Sequence, residues 1–206
     1  MRILDIKRQM QPDDISIVRD LLRDAERADG HRPLSDHLWL DLVDGGREGF
    51  AGLVAWEGDH DHPVAYAQIS KGHDSFSIEL VVHPHHRYEM HLIGPELLSA
   101  ALHEVAVNGG GHVHWWVFEP TIGHEQVAAQ VGLTPGRRLH QMRRSLPLSS
   151  ADAAAQVAVR TFVKGQDEEA WLAVNNRAGV KPRHPLVSNR SNHQGQAFGF
   201  DRWFRC

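Results

Sequence analysis

The run Glu79-Leu-Val-Val-His-Pro-His-His-Arg87, leading on to Leu92-Ile-Gly-Pro-Glu-Leu-Leu98, constrains this chain more than any other segment. An apolar, β-rich stretch stops at Pro84, a basic segment with a single glycine, Gly94, follows, and an apolar helical pattern begins. β-branched residues favour a pleated strand and proline interrupts its ladder, so the chain passes here from sheet to helix. Such a junction is chemically useful. Loop amides and the positive end of a helix face one space, and Arg87 adds a fixed charge beside it, which suits a pyrophosphate. An ordinary strand–turn–helix connection with a solvated arginine accounts for the same residues, and both readings stay open.

The surrounding pattern predicts an α+β domain. Pro12-Asp13-Asp14 followed by Ile15, Ile17, Val18, Leu21, Leu22 and Ala25 reads as a capped amphipathic helix ending at Asp29-Gly30. A second helix starts at Ser35, carries Leu38, Trp39, Leu42 and Val43, and stops at Gly45-Gly46. Residues 50–56 and 64–69 predict a hairpin, and 75–82 the next strand. A helix over 94–107, a strand over 112–118, a helix over 123–131 and a last strand over 138–146 complete the order. The domain is expected to span residues 1–148. The low-complexity stretch at 149–158 then forms a linker, with a further segment at 159–206.

At 206 residues and 41% hydrophobic content, one full core fits and two are cramped. A formal net charge of -4 gives no electrostatic case for nucleic acid or an anionic membrane as partner. No apolar run has the length of a membrane span, and Met1-Arg2-Ile3-Leu4-Asp5 lacks a signal-peptide core. The lone Cys206 cannot form an internal disulfide, so a reducing cytoplasm is expected. Histidine is abundant, at 16 copies. Asp59-His60-Asp61-His62 and the group His83, His85, His86 are expected to be solvated turn and loop residues without a metal, because adjacent loop residues seldom converge on one ion unaided.

Val82-His-Pro84-His-His-Arg87 resembles motif A of the GCN5-related N-acetyltransferases (GNAT), which bind acetyl-CoA through a Val-x-Pro-x-x-Arg-x-x-Gly-x-Gly/Ala loop. The chain departs from it: Tyr88, Glu89, Met90 and His91 follow Arg87, and a two-residue insertion brings Leu92-Ile93-Gly94 to the place of Gly-x-Gly. Narrower likenesses point to the mycothiol synthase family. They are Pro33-Leu-Ser-Asp36, Glu79-Leu-Val-Val-His-Pro84, His140-Gln-Met-Arg-Arg144 and Ala170-Trp-Leu-Ala-Val-Asn-Asn-Arg-Ala178. They lapse after Ala178.

The resemblance implies a GNAT fold: a mixed, mostly antiparallel sheet flanked by helices, here with a short C-terminal extension. It implies acetyl-CoA as acyl donor, without metal, and a small-molecule amine as acceptor, the cysteine amine of desacetylmycothiol in that family. By the same resemblance Leu80, Val81 and Val82 supply backbone amides to the donor, and Arg87, Leu92, Ile93 and Gly94 hold its phosphates. Glu79 becomes the candidate general base and Asp36 a contact to the aminosugar. Residues 159–206 become the truncated start of a second such domain followed by an irregular tail. The family's tyrosine acid, four residues before the glycine closing the last helix, is absent: Gly132 closes the helix and position 128 is Ala128. A stand-alone acetyltransferase of another small amine, or a catalytically silent acyl-CoA-binding or partner-docking module, stays open. The aromatic residues Phe198, Phe200, Trp203 and Phe204 predict that the tail docks on the first domain or on a second copy of the chain.

Overall fold

The computed structural model describes residues 2–58, 62–140, 145–147, 158–179 and 200–205. All but the last residue of the linker expected at 149–158 lies outside them. The chain divides into two compact units, Met1–Met142 with Ala197–Cys206, and Arg143–Gln196.

The first unit is built on one sheet of order β1-β2-β3-β4-β5-β7-β6. Its strands are β1 (Arg2–Lys7), β2 (Ala51–Glu57), β3 (Ala65–Lys71), β4 (Ser75–Val82), β5 (His112–Phe118), β6 (Thr134–His140) and β7 (Phe200–Arg205). β1 to β4 are antiparallel neighbours, β4 and β5 are parallel, and β7 lies antiparallel between β5 and β6. The helices are α1 (Pro12–Asp29), α2 (Asp36–Val43), α3 (Met90–Val107) and α4 (Ile122–Gln130), with a 3-10 helix at Pro84–Glu89.

Strand alternation decides which core each residue enters. Val54, Tyr66 and Val81 pack with Val18, Leu21 and Leu22 of α1 and with Leu38 and Leu42 of α2. Their neighbours Leu53, Ala55, Ala67 and Val82 enter a second cluster with Ile93, Leu97, Leu98 and Ala101 of α3, Val127 of α4, and Ile78 and Trp115. Two cores therefore sandwich the sheet. β4 contributes to both, with Ile78 and Val82 on one side and Val81 on the other. The expected α+β fold with a mixed, mostly antiparallel sheet flanked by helices is present.

Several boundaries differ from the sequence expectation, each for a local reason. β1 was not anticipated; it is an edge strand whose Ile3 and Ile6 are exposed, so it lacks a clean apolar alternation. α3 starts at Met90 instead of at residue 94, because the 3-10 helix after Pro84 runs straight into it. β6 ends at His140 as described and begins earlier than residue 138. Pro135 is tolerated there because β6 is an edge strand with a register shift between Pro135 and Arg138. Residues 141–144 of the expected strand lie outside the described residues.

In the second unit, α5 (Glu168–Gly179) is preceded by an ordered turn. Asp167 accepts from both Nη atoms of Arg160, each at 2.6 Å, and from the amide of Val163 at 2.7 Å. No helix among the described residues is long and apolar enough to cross a membrane.

Candidate active site

The parallel ladder between β4 and β5 runs from Ser75 opposite His112 to Glu79 opposite Trp116, and stops. Both strands go on. β4 continues to Val82 paired only with β3, and β5 continues to Phe118 paired with β7. The two strands therefore part after Glu79, and the β5-facing edge of Leu80, Val81 and Val82 carries peptide groups outside the β4–β5 ladder. Backbone amides are strong donors that seek a partner, so an extended ligand can lie along such an edge. The side chains take no part in this. Val81 and Val82 are buried in opposite cores and Leu80 packs half-buried against one of them.

Glu79 stands at the point of parting. Its side chain is buried, and Oε2 accepts the amide of Ser35, the N-cap of α2, at 2.8 Å. The carboxylate thereby satisfies one orphan donor of the helix and faces its positive end. Glu79 is thus not a solvent-facing strand glutamate. Asp36, the next residue after Ser35, is exposed and pairs with Arg32 at 3.3 Å. The candidate base and the candidate acceptor contact are therefore brought to the same helix start.

Arg87 is engaged. Its two Nη atoms donate to the two carboxylate oxygens of Asp29 at 2.6 and 2.7 Å, a bidentate pair at the C-terminal end of α1. Gly30 makes this corner possible, closing α1 in the left-handed region at φ 72. Leu92, Ile93 and Gly94 lie inside α3, not in a loop: Leu92 is exposed, and Ile93 and Gly94 are buried. A Cβ on Gly94 would meet Val127 at 3.0 and 3.1 Å, so this glycine lets α3 and α4 approach closely. The segment between β4 and α3 is a glycine-free 3-10 turn.

Two histidines near this end of the sheet were not singled out from the sequence. His124, half-buried in α4, takes the amide of Thr121 on its Nδ1 at 3.1 Å, with the Thr121 hydroxyl at 2.9 Å. Desolvation, and then the positive charge of Arg87, hold its pKa below the ordinary imidazole value. His31, from the turn between α1 and α2, packs on Phe118 with ring centroids 3.8 Å apart, and the next residue, Glu119, has a positive φ of 46. The Thr121-x-x-His124 capping box was the available signal for His124, with histidine in the place usually held by Glu or Gln. Ala128, by contrast, is sealed in the core.

The reading of the histidine clusters as solvated is overturned for His83 and His86, which are 6% and 5% exposed. His62, just before β3, lies against His83 and His86 beyond the end of β4, so residues distant in sequence meet. One nitrogen from each of His62, His83 and His86 can be chosen so that all lie within 4.8 Å of one another. His85 is exposed, and His60 lies outside the described residues.

No protein-family profile matches the chain. Among curated proteins it is similar to the mycothiol acetyltransferase of Acidimicrobium ferrooxidans, 38% identical over 77% of this chain and 52% of that protein. The mycothiol acetyltransferase of Thermobispora bispora is 40% identical over 81% and 54%. That of Streptomyces avermitilis is 36% identical over 98% and 64%. The chain thus spans about half the length of the first two relatives. Among solved structures, a GCN5-related N-acetyltransferase from Sphaerobacter thermophilus superposes with a TM-score of 0.55 at 21% identity, covering 86% of this chain and 58% of that one. A GNAT-family acetyltransferase from Streptococcus pneumoniae gives 0.54 at 11% identity, covering 69% and 91%.

Proposed function

We propose that this chain, which has the fold of GCN5-related N-acetyltransferases and resembles curated mycothiol acetyltransferases in sequence, is an acetyl-CoA-dependent N-acetyltransferase domain acting on the cysteine amine of desacetylmycothiol in the cytoplasm. The observation that carries the reading is the parting of β4 and β5 beyond Glu79 and Trp116. An acyl thioester has a flexible amide-rich arm that can pair with the strand edge at Leu80–Val82, and this edge needs no particular side chain. The residues present fit that donor in the cleft. At its phosphates the fit rests on Arg87, whose guanidinium would exchange Asp29 for the anion, and on the start of α3; Gly94 is committed to helix packing.

Bound in the cleft, the thioester supplies an activated acetyl group. The chain supplies position and proton management. Amides on the strand edge polarise the carbonyl oxygen, Glu79 at the mouth takes the ammonium proton directly or through water, and Asp36 offers its carboxylate to a hydroxyl-rich acceptor.

A second reading is a silent acyl-CoA-binding module. Asp29 already neutralises Arg87, and Ala128 puts no acid beside the leaving thiolate. Calorimetry and a thiol-release assay separate the two. The proposed enzyme binds acetyl-CoA with a dissociation constant near the micromolar level, roughly -8 kcal/mol, and releases CoA only when the aminosugar-linked cysteine is supplied. Binding without acceptor-dependent release indicates the silent module, and no binding up to about 1 mM refutes both.

A further inference from the structure

His83 caps the 3-10 helix that follows β4, and His86 comes three residues later. In a helix of three residues per turn, positions i and i+3 eclipse, so the two imidazoles share one side with centroids 5.9 Å apart. His62, at the end of the turn between β2 and β3, stacks on His83 at 4.6 Å and meets His86 edge-on at 5.8 Å. Asp24 of α1 stands beside His83, its Oδ2 3.7 Å from His83 Nε2. A groove lined by Ile17, Asp20, Leu21, Asp24, His62, Pro63 and His83 leads to it.

Three imidazoles from two separate loops, with one carboxylate beside them, form the donor set that borderline transition metals prefer over magnesium or calcium. Among the described residues the polar contacts of the His83 ring are long, 3.3 Å from the His85 amide to Nδ1 and 3.7 Å from Nε2 to Asp24, so an ion can displace either. A neighbouring group of potential ligands, Glu57, His86 and Glu89, is different in kind. There Arg2 already supplies the cation, 3.1 Å from Glu57 and 3.6 Å from Glu89. On the three-histidine side the residue next to the rings is an anion, Asp24.

We propose that His62, His83 and His86 bind one divalent zinc-type ion beside the carboxylate of Asp24, and that the ion ties His62, before β3, to the start of the 3-10 helix. Tetrahedral zinc with bonds of about 2.0–2.1 Å holds its nitrogens about 3.3 Å apart, so the trio contracts by no more than about 1.5 Å on binding, within the reach of side-chain rotation. None of the three histidines is among the residues assigned to the acyl donor or acceptor, but His83 and His86 adjoin Val82 and Arg87 in the chain.

The test uses the full chain without a polyhistidine tag, stripped with chelator and titrated with zinc chloride by calorimetry, with cobalt(II) absorption as a second readout. The expected result is one saturable equivalent, a tetrahedral cobalt spectrum, and a melting temperature that rises with zinc concentration. His62→Gln, at a half-buried position, is expected to keep the fold and weaken zinc at least about tenfold, whereas His112→Gln, exposed at the start of β5, leaves it unchanged. The proposal is overturned if no saturable step appears up to about 1 mM zinc, or if His62→Gln binds as the wild type does.

Discussion

Arg87 is held by both oxygens of one carboxylate, so any anion it receives must compete with Asp29. The pair itself adds little to stability, about 0–1 kcal/mol, because the guanidinium is 41% exposed. Its importance is to ligand binding. Arg87→Ala is expected to weaken acetyl-CoA by about 1.5–3 kcal/mol, the size of a charge-assisted hydrogen bond, while Asp29→Asn is expected to tighten it by freeing the fork. Calorimetry on both variants checks this, and equal weakening by both would show that the pair matters through folding alone. The same guanidinium acts on His124, whose pKa lies below the ordinary value through desolvation first and Arg87 second. A depressed imidazole pKa means the unfolded chain binds the proton more readily. This contribution to stability is therefore complete above the unfolded value of about 6.5 and is lost as pH falls from there toward the folded pKa. Two NMR outcomes are expected: Arg87→Ala raises the His124 pKa, and so does an anion seated on Arg87. An unchanged titration curve in Arg87→Ala would remove the charge coupling.

At the scale of elements, Gly94 illustrates how a correct motif can carry the wrong reason. A glycine ten residues after a strand-ending Val-His-Pro reads as a close-approach position for phosphate, and it is a close-approach position, but for α4. Gly94→Ala is expected to overpack Val127 and cost about 1–3 kcal/mol, seen as a lower midpoint in urea, and Val127→Ala in the same chain should recover part of the loss. A loss of acetyl-CoA affinity with unaltered stability would instead restore the phosphate role. α1, α2 and β5 were legible because each buries a periodic apolar face against one core, and β2, β3 and β4 because they bury apolar runs against both. β1 was not, since an edge strand with Ile3 and Ile6 exposed has no such face. Of the proposed site, the placement on elements was legible where local order sets it, Glu79 to Val82 at the end of a strand and Asp36 at a helix start. Asp29 and the union of His62 with His83 and His86 were illegible for a different reason: they depend on contacts between segments far apart in sequence, which no local pattern encodes.

The sheet of the first unit is completed by a strand that the local sequence pattern did not announce. β6 ends at His140, yet its ladder partner β7 begins at Phe200, and β7 also takes the outer edge of β5 from His114 to Phe118. The tail expected to dock on the first domain thus does so as an inserted strand. In the described order β6 reaches the rest of the sheet only through β7. Removing residues after Ala178 therefore does more than uncover an apolar patch: it strips β6 of its only described ladder and opens the β5 edge beside the parting strands. Unpaired strand edges template association with other chains, so the shortened protein is expected to aggregate by light scattering and to melt at lower temperature. Acetyl-CoA affinity should fall with it, because β5 forms one wall of the cleft. The sharper control keeps the length and breaks the ladder, by placing proline at Arg202, which pairs with both Val117 and Arg138. If that variant and the truncation both stay monomeric and melt with the wild type, β7 is dispensable and β5 is the true edge of a smaller sheet.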